Sequence, residues 1–155
     1  MSIAERNLII EKLVFQDSTQ AADLADPDMT QSCLIAYLAY MIGLGWHIEI
    51  TAVRSDHSND AALGEFCHQY GYCVDCWPLA SATPGDYLDA SSLRFQQFLA
   101  DAAASPWCWQ IGLAGEADTE ANMKACGQKG FVDDGADHIH LGSYWPDAEH
   151  NGLSA

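Results

Sequence analysis

His68 and Asp75 stand on either side of Gly71, and Asp137-His138-Ile139-His140 follows much later in the chain. Imidazole nitrogens and carboxylate oxygens are donors that hold zinc. A catalytic zinc takes three protein ligands and keeps a fourth position open for water. His68, Asp75 and His140 supply the three ligands for one zinc ion, and Asp137 and His138 remain beside them as acid/base groups. Such a set hydrolyses bonds through a metal-activated water. It works only if the fold brings two distant segments together.

The elements that could do so are legible. Tyr72 to Trp77 reads as a strand stopped by Pro78, with Cys73 and Asp75 on one face and Tyr72 and Val74 on the other. Gly71, just before it, can take a positive φ and fold the chain back toward His68. His138 to Ser143 reads as the last strand, with His138, His140 and Gly142 on one face. If these two strands are neighbours, His140 completes the set begun by His68 and Asp75.

Around them, residues 5–15 have the spacing of a short helix. Asp26-Pro27-Asp28 opens an apolar helix that runs to about Ile42 and ends at Gly43 and Gly45. His47 to Val53 alternates as a half-buried strand. Ser91 or Ser92 caps a helix to about Ala104, with Phe95, Phe98, Leu99 and Ala102 at helical spacing. Cys108 to Leu113 is a third strand, and Asp118 or Thr119 caps a helix ending at Gly127. Trp77, Trp107, Trp109 and Tyr144 could line a cleft, with core packing the first expectation. Helices mixed with short strands and long loops predict an α+β fold with a small, mainly antiparallel sheet. A chain of 155 residues predicts one domain, 1–155.

His68-Gln-Tyr-Gly71-Tyr-Cys-Val-Asp75 resembles the H-x-x-G-x-x-x-D segment of the peptidase M15 family. That family comprises zinc D-alanyl-D-alanine carboxypeptidases and dipeptidases and phage L-alanyl-D-glutamate endopeptidases, in a wider set that includes the hedgehog signalling domain. His138-Ile139-His140 resembles the second motif, in which the later histidine is the third ligand. The long helix, the strand Ile48–Val53 and Arg54 fit the stretch before the first motif. The likeness covers roughly residues 28–145. It implies a hedgehog-like fold, zinc on His68, Asp75 and His140, and Arg54 aimed at a substrate carboxylate or oxyanion. It puts the general base at Asp137, three before the last ligand, or at His138, two before it; Asp137 is the expected base.

The implied activity is hydrolysis of a peptidoglycan stem-peptide bond in cell-wall degradation, of the D,D-carboxypeptidase or L-Ala-D-Glu endopeptidase type. The alternative is an inactive zinc-binding or virion-structural protein that keeps the fold. Retention of both Asp137 and His138 speaks for turnover. Phe66 stands where the family usually has Ser, and Cys73 where Ala is common; neither position is a ligand.

Six Lys and Arg face 22 Asp and Glu, a formal charge of −16. Nucleic acids and anionic membranes would be repelled, so the expected partner is a peptidoglycan peptide or similar small peptide. The longest apolar run, Cys33 to Ile42, falls short of the ~20 residues of a membrane span. The first residues lack a basic region followed by an apolar stretch, so no signal peptide is read. The expectation is cytoplasmic synthesis, with release to the cell wall or association with a virion. Without an export signal the six cysteines are expected to be reduced. Cys33, Cys108 and Cys126 read as small buried hydrophobes. Cys73-Val-Asp-Cys76, with Cys67 upstream, is a weak zinc or redox signal because no second pair follows.

Overall fold

The computed structural model describes residues 1–57, 66–113, 131–133 and 138–143. In chain order these form α1 (Ile3–Ile10), β1 (Val14–Phe15), α2 (Ser18–Ala25), α3 (Ser32–Gly43), β2 (His47–Ala52), a 3-10 turn (Arg54–His57), α4 (Phe66–Gln69), β3 (Cys73–Leu79), α5 (Leu93–Ala104), β4 (Cys108–Leu113), β5 (Phe131–Asp133) and β6 (Ile139–Ser143). The strands build one sheet in the order β1-β2-β3-β6-β4-β5. Its four central strands are antiparallel, and β1 and β5 join the edges in parallel. The α+β class is as expected. The sheet is antiparallel in its centre and mixed overall.

The core forms where alternating strands meet an apolar helix. Ile48 and Ile50 of β2, Val74 and Cys76 of β3, Ile139 and Leu141 of β6 and Ile111 of β4 are sealed from solvent. They share one cluster with Leu34, Ile35, Tyr37, Leu38 and Met41 of α3 and with Phe95, Phe98, Leu99 and Ala102 of α5. Each buried Val, Leu, Ile, Phe or Met among them contributes ~1.5–3 kcal/mol by leaving water. The Tyr37 hydroxyl donates to the Ala102 carbonyl at 2.9 Å and ties α3 to α5. Burial lifts the Tyr37 pKa well above its ordinary value, so this donor keeps its proton. Among the described residues no helix is long and apolar enough to cross a membrane.

Four local expectations are corrected. The long helix does not open at Asp26. Asp26 instead closes α2 with its N–H on the Ala22 carbonyl, and its own carbonyl takes the N–H groups of Met29 and Thr30. Its Oδ1 also accepts the Asp28 N–H at 2.8 Å, so the segment is satisfied as a turn and α3 starts at Ser32. The helix read over 5–15 ends at Ile10, because Val14 and Phe15 pair with Glu49 and Ile50. Pro78 does not stop β3. Its carbonyl accepts the Leu88 N–H at 3.0 Å, so its nitrogen faces that same side and the ladder to β2 loses nothing. Trp107 is 41% exposed and is not core. The helix expected up to Gly127 lies outside the described residues.

α2 and a buried arginine were not foreseen. Asp17 caps α2 in a reciprocal box with Gln20. Arg6, 2% exposed, donates to the carbonyls of Leu24 at 2.8 Å and Thr30 at 2.9 Å. It thereby pins α1 to the end of α2 and the approach to α3. Burial lowers its pKa, partly opposed by Asp26.

Candidate metal centre

The centre is assembled by strand register. β3 and β6 pair with Asp75 opposite His140 and Cys73 opposite Gly142. Val74, Cys76, Ile139 and Leu141 point into the core, so alternation turns Asp75 and His140 to the other face. Directly opposed side chains start ~5 Å apart at Cβ, which lets a carboxylate and an imidazole meet. His68 arrives from α4 through a tight turn. The Gly71 N–H bonds to the His68 carbonyl and the Tyr72 N–H to the Cys67 carbonyl, both at 2.9 Å. Gly71 takes φ +72°, as its position in the motif predicts, and a Cβ there would overlap the Met29 carbonyl. Only glycine fits.

Three donor atoms converge. His68 Nε2 is 3.0 Å from His140 Nδ1, and each lies 3.2 Å from Asp75 Oδ1. All three residues are 2–3% exposed. Protons serve such a triangle poorly, because each N–H points along one direction while the three atoms share a single focus. Ligands ~2.0–2.1 Å from a tetrahedral ion are separated by about 3.3 Å, close to the spacing found. The donor set therefore fits a divalent metal ion, and two imidazoles with one carboxylate suit zinc among others.

The second oxygen of Asp75 is turned to His138, whose Nε2 lies 3.7 Å away and whose side chain is 20% exposed. Asp75 and His138 both line a groove of about 890 Å3, walled further by Thr51, Trp77, Tyr87 and Asp89. Glu49, buried on β2, holds that wall. It accepts the Tyr87 hydroxyl at 2.6 Å and the Gly85 N–H at 2.8 Å. This bond to Glu49 raises the Tyr87 pKa. The Trp77 Nε1–H donates to the Leu88 carbonyl at 2.9 Å. Asp89 accepts the Ser91 hydroxyl at 2.7 Å and N–H at 2.8 Å, which keep its carboxyl below the usual range.

The sequence-derived site residues separate into groups. His68, Asp75, His140 and His138 come together. Arg54 does not join them: it opens the 3-10 turn, donates from Nη1 to the Asp28 carbonyl at 2.9 Å and does not line the groove. Asp137 lies outside the described residues, as does Cys126. Trp77, expected as core, packs on the core and also walls the groove. Glu49, Tyr87 and Asp89 were missed. Glu49, a carboxylate in the middle of the alternating strand His47–Ala52, was the available signal.

The cysteines correct another expectation. Cys67 and Cys73 are joined in a disulfide, because the Gly71 turn brings their Cα atoms to 5.5 Å. Cys67 Sγ lies 3.4 Å from His140 Nε2. Cys33, Cys76 and Cys108 are not disulfide-bonded, and burial pushes the Cys76 thiol pKa well up. A Cβ on Gly142 would lie 2.9 Å from Gln110 Cβ and 3.3 Å from Cys73 Sγ, so this glycine leaves room beside the disulfide.

No protein-family model, curated protein or solved structure matches the chain. Fold and site together define an α+β protein with a buried His/Asp/His donor set at the edge of an open groove.

Proposed function

We propose that this protein is a zinc-dependent peptidase of the M15 type, with a hedgehog-like fold, acting on a peptidoglycan stem peptide or similar small peptide. The observation that carries the reading is the convergence of His68 Nε2, Asp75 Oδ1 and His140 Nδ1 within 3.2 Å beside a groove. The same residues stand where the two motifs resembling that family have their ligands, and they would hold the zinc. Bound there, zinc polarises a carbonyl and lowers the pKa of a water to ~7.

The chain's own groups do the rest. Asp75 commits one oxygen to the triangle and keeps the other near His138. The His138 imidazole, open to the groove, takes the proton of the attacking water and returns it to the leaving amine. Asp75 Oδ2 faces that imidazole at 3.7 Å. Asp137 is the alternative base by motif position. Trp77 and Tyr87 offer flat apolar surface to a substrate side chain, and Asp89 favours a cationic end.

A second reading is a zinc-binding or virion-structural protein without turnover. One observation favours it: Arg54 is held at Asp28, and the described groove lining carries Asp75 and Asp89 but no Lys or Arg. A substrate carboxylate has no cationic anchor there. The test is to load the protein with zinc and measure new amines from peptidoglycan fragments between about pH 5 and 9. Amine release supports the peptidase. Stoichiometric zinc without release leaves the second reading, and failure to bind zinc removes both.

A further inference from the structure

We propose that Cys67, Cys73 and His140 form a second, redox-gated metal site, which shares His140 with the His68/Asp75/His140 triangle. The state of the disulfide then decides which ligands hold the ion. The His140 ring stands between the two sets. Its Nδ1 is 3.0 Å from His68 Nε2 and 3.2 Å from Asp75 Oδ1, while its Nε2 is 3.4 Å from Cys67 Sγ. The ligand atoms of Cys67, Cys73 and His140 lie within 4.8 Å of one another, as those of the triangle do.

A neutral imidazole has one lone pair and one N–H. With the lone pair on Nδ1, the ring serves His68 and Asp75 and turns its Nε2–H to the sulfurs. With the lone pair on Nε2, it serves the sulfurs and turns its Nδ1–H to Asp75. The two sets therefore exclude each other at His140. While the sulfurs are bonded together they are poor ligands, and the His/Asp/His set holds the ion.

A dithiol reductant changes the balance. One of its sulfurs attacks Cys67, the more accessible partner, giving a mixed disulfide and releasing the Cys73 thiol. Its second sulfur then closes the reductant's own disulfide and frees the Cys67 thiol. Two electrons and two protons pass from the dithiol to the cysteine pair. Both thiols give up their protons on ligating a borderline-soft divalent ion, for which sulfur competes strongly with carboxylate. Cys76 takes no part, since alternation places it on the core face, where it is fully buried. Under reducing conditions the ion is drawn toward the sulfurs and away from Asp75 at the groove. Under oxidising conditions it stays on the triangle.

Cobalt(II) tests this with the full chain, because sulfur ligation gives a near-ultraviolet charge-transfer band that nitrogen and oxygen ligands do not. Oxidised wild type is expected to bind cobalt without the band. Wild type reduced by a dithiol, with the reductant removed, is expected to bind the same equivalent with the band. Oxidised Asp75→Ala should lose the ion, and reduced Asp75→Ala should regain it with the band. The double variant Cys67→Ser, Cys73→Ser should show no band in either state. Reduced wild type that binds cobalt without the band, or binds none, overturns the proposal whether or not the variants fold. So does reduced, folded Asp75→Ala that stays metal-free. The readout is sulfur ligation, so loss of the peptidase reading would leave it unchanged.

Discussion

The two faces of the β3–β6 pair are equally dry and opposite in character. Toward the helices, Val74, Cys76, Ile139 and Leu141 are fully buried. On the other face Asp75 and His140 are 2–3% exposed, joined by His68 from α4. Removing apolar groups from water stabilises the fold, whereas removing a carboxylate and two imidazoles costs free energy unless they are partnered. The first face holds the molecule together. The second is held in place by it. The cysteines divide the same way: Cys76 is a free core thiol, and Cys73, on the polar face, is bonded to Cys67 beside His140.

The largest effect expected is from Asp75→Ala in the oxidised protein. Metal analysis should find the bound zinc gone, while the apo-protein still melts cooperatively on its own core. Zinc retained at full stoichiometry would mean the polar face is no metal site. Next comes His138→Ala, which should keep zinc and lose ~10²–10⁴-fold in peptide turnover; only a mild loss would hand the base to Asp137. Leu141→Ala acts on the other face. It should cost ~2–5 kcal/mol in denaturant unfolding and leave the zinc content of the folded fraction intact. Zinc lost from folded Leu141→Ala would break the division between the faces.

The smallest effect concerns the groove wall. Ser91 lowers the Asp89 pKa in the folded state, so its contribution to stability is complete above about pH 4 and is lost as pH falls through the lowered value. Asp89→Asn should flatten the acid limb of melting temperature against pH. An unchanged limb would refute the assignment.

The ligand triangle was legible because it depends on local rules. Strand alternation sorted Asp75 from Val74 and His140 from Leu141, and Gly71 announced the turn. The pairing of Asp75 with His140 was a conditional expectation that the observed register meets. What stayed hidden depends on contacts between distant segments. Pro78 looked like a strand end because nothing in its neighbourhood tells which way its nitrogen faces. Arg54 looked like a substrate anchor because Asp28, to whose carbonyl it donates, comes from another element. The burial of Arg6 follows from two carbonyls released by α2 and the next turn. The Asp17/Gln20 capping box, by contrast, is a local pattern that the sequence carries openly. The disulfide runs against the compartment argument because the Gly71 turn brings Cys67 and Cys73 together.

On the proposed reading, the register of β3 against β6 would also make metal uptake a gauge of folding accuracy. Side chains alternate with a period of two, so a slip of one residue along β6 would send His140 into the core and bring an aliphatic neighbour opposite Asp75. No such chain could assemble the triangle. If the triangle holds an ion as proposed, uptake in a preparation of this protein would count the chains whose sheet is aligned, which spectroscopy of strand content alone would not distinguish.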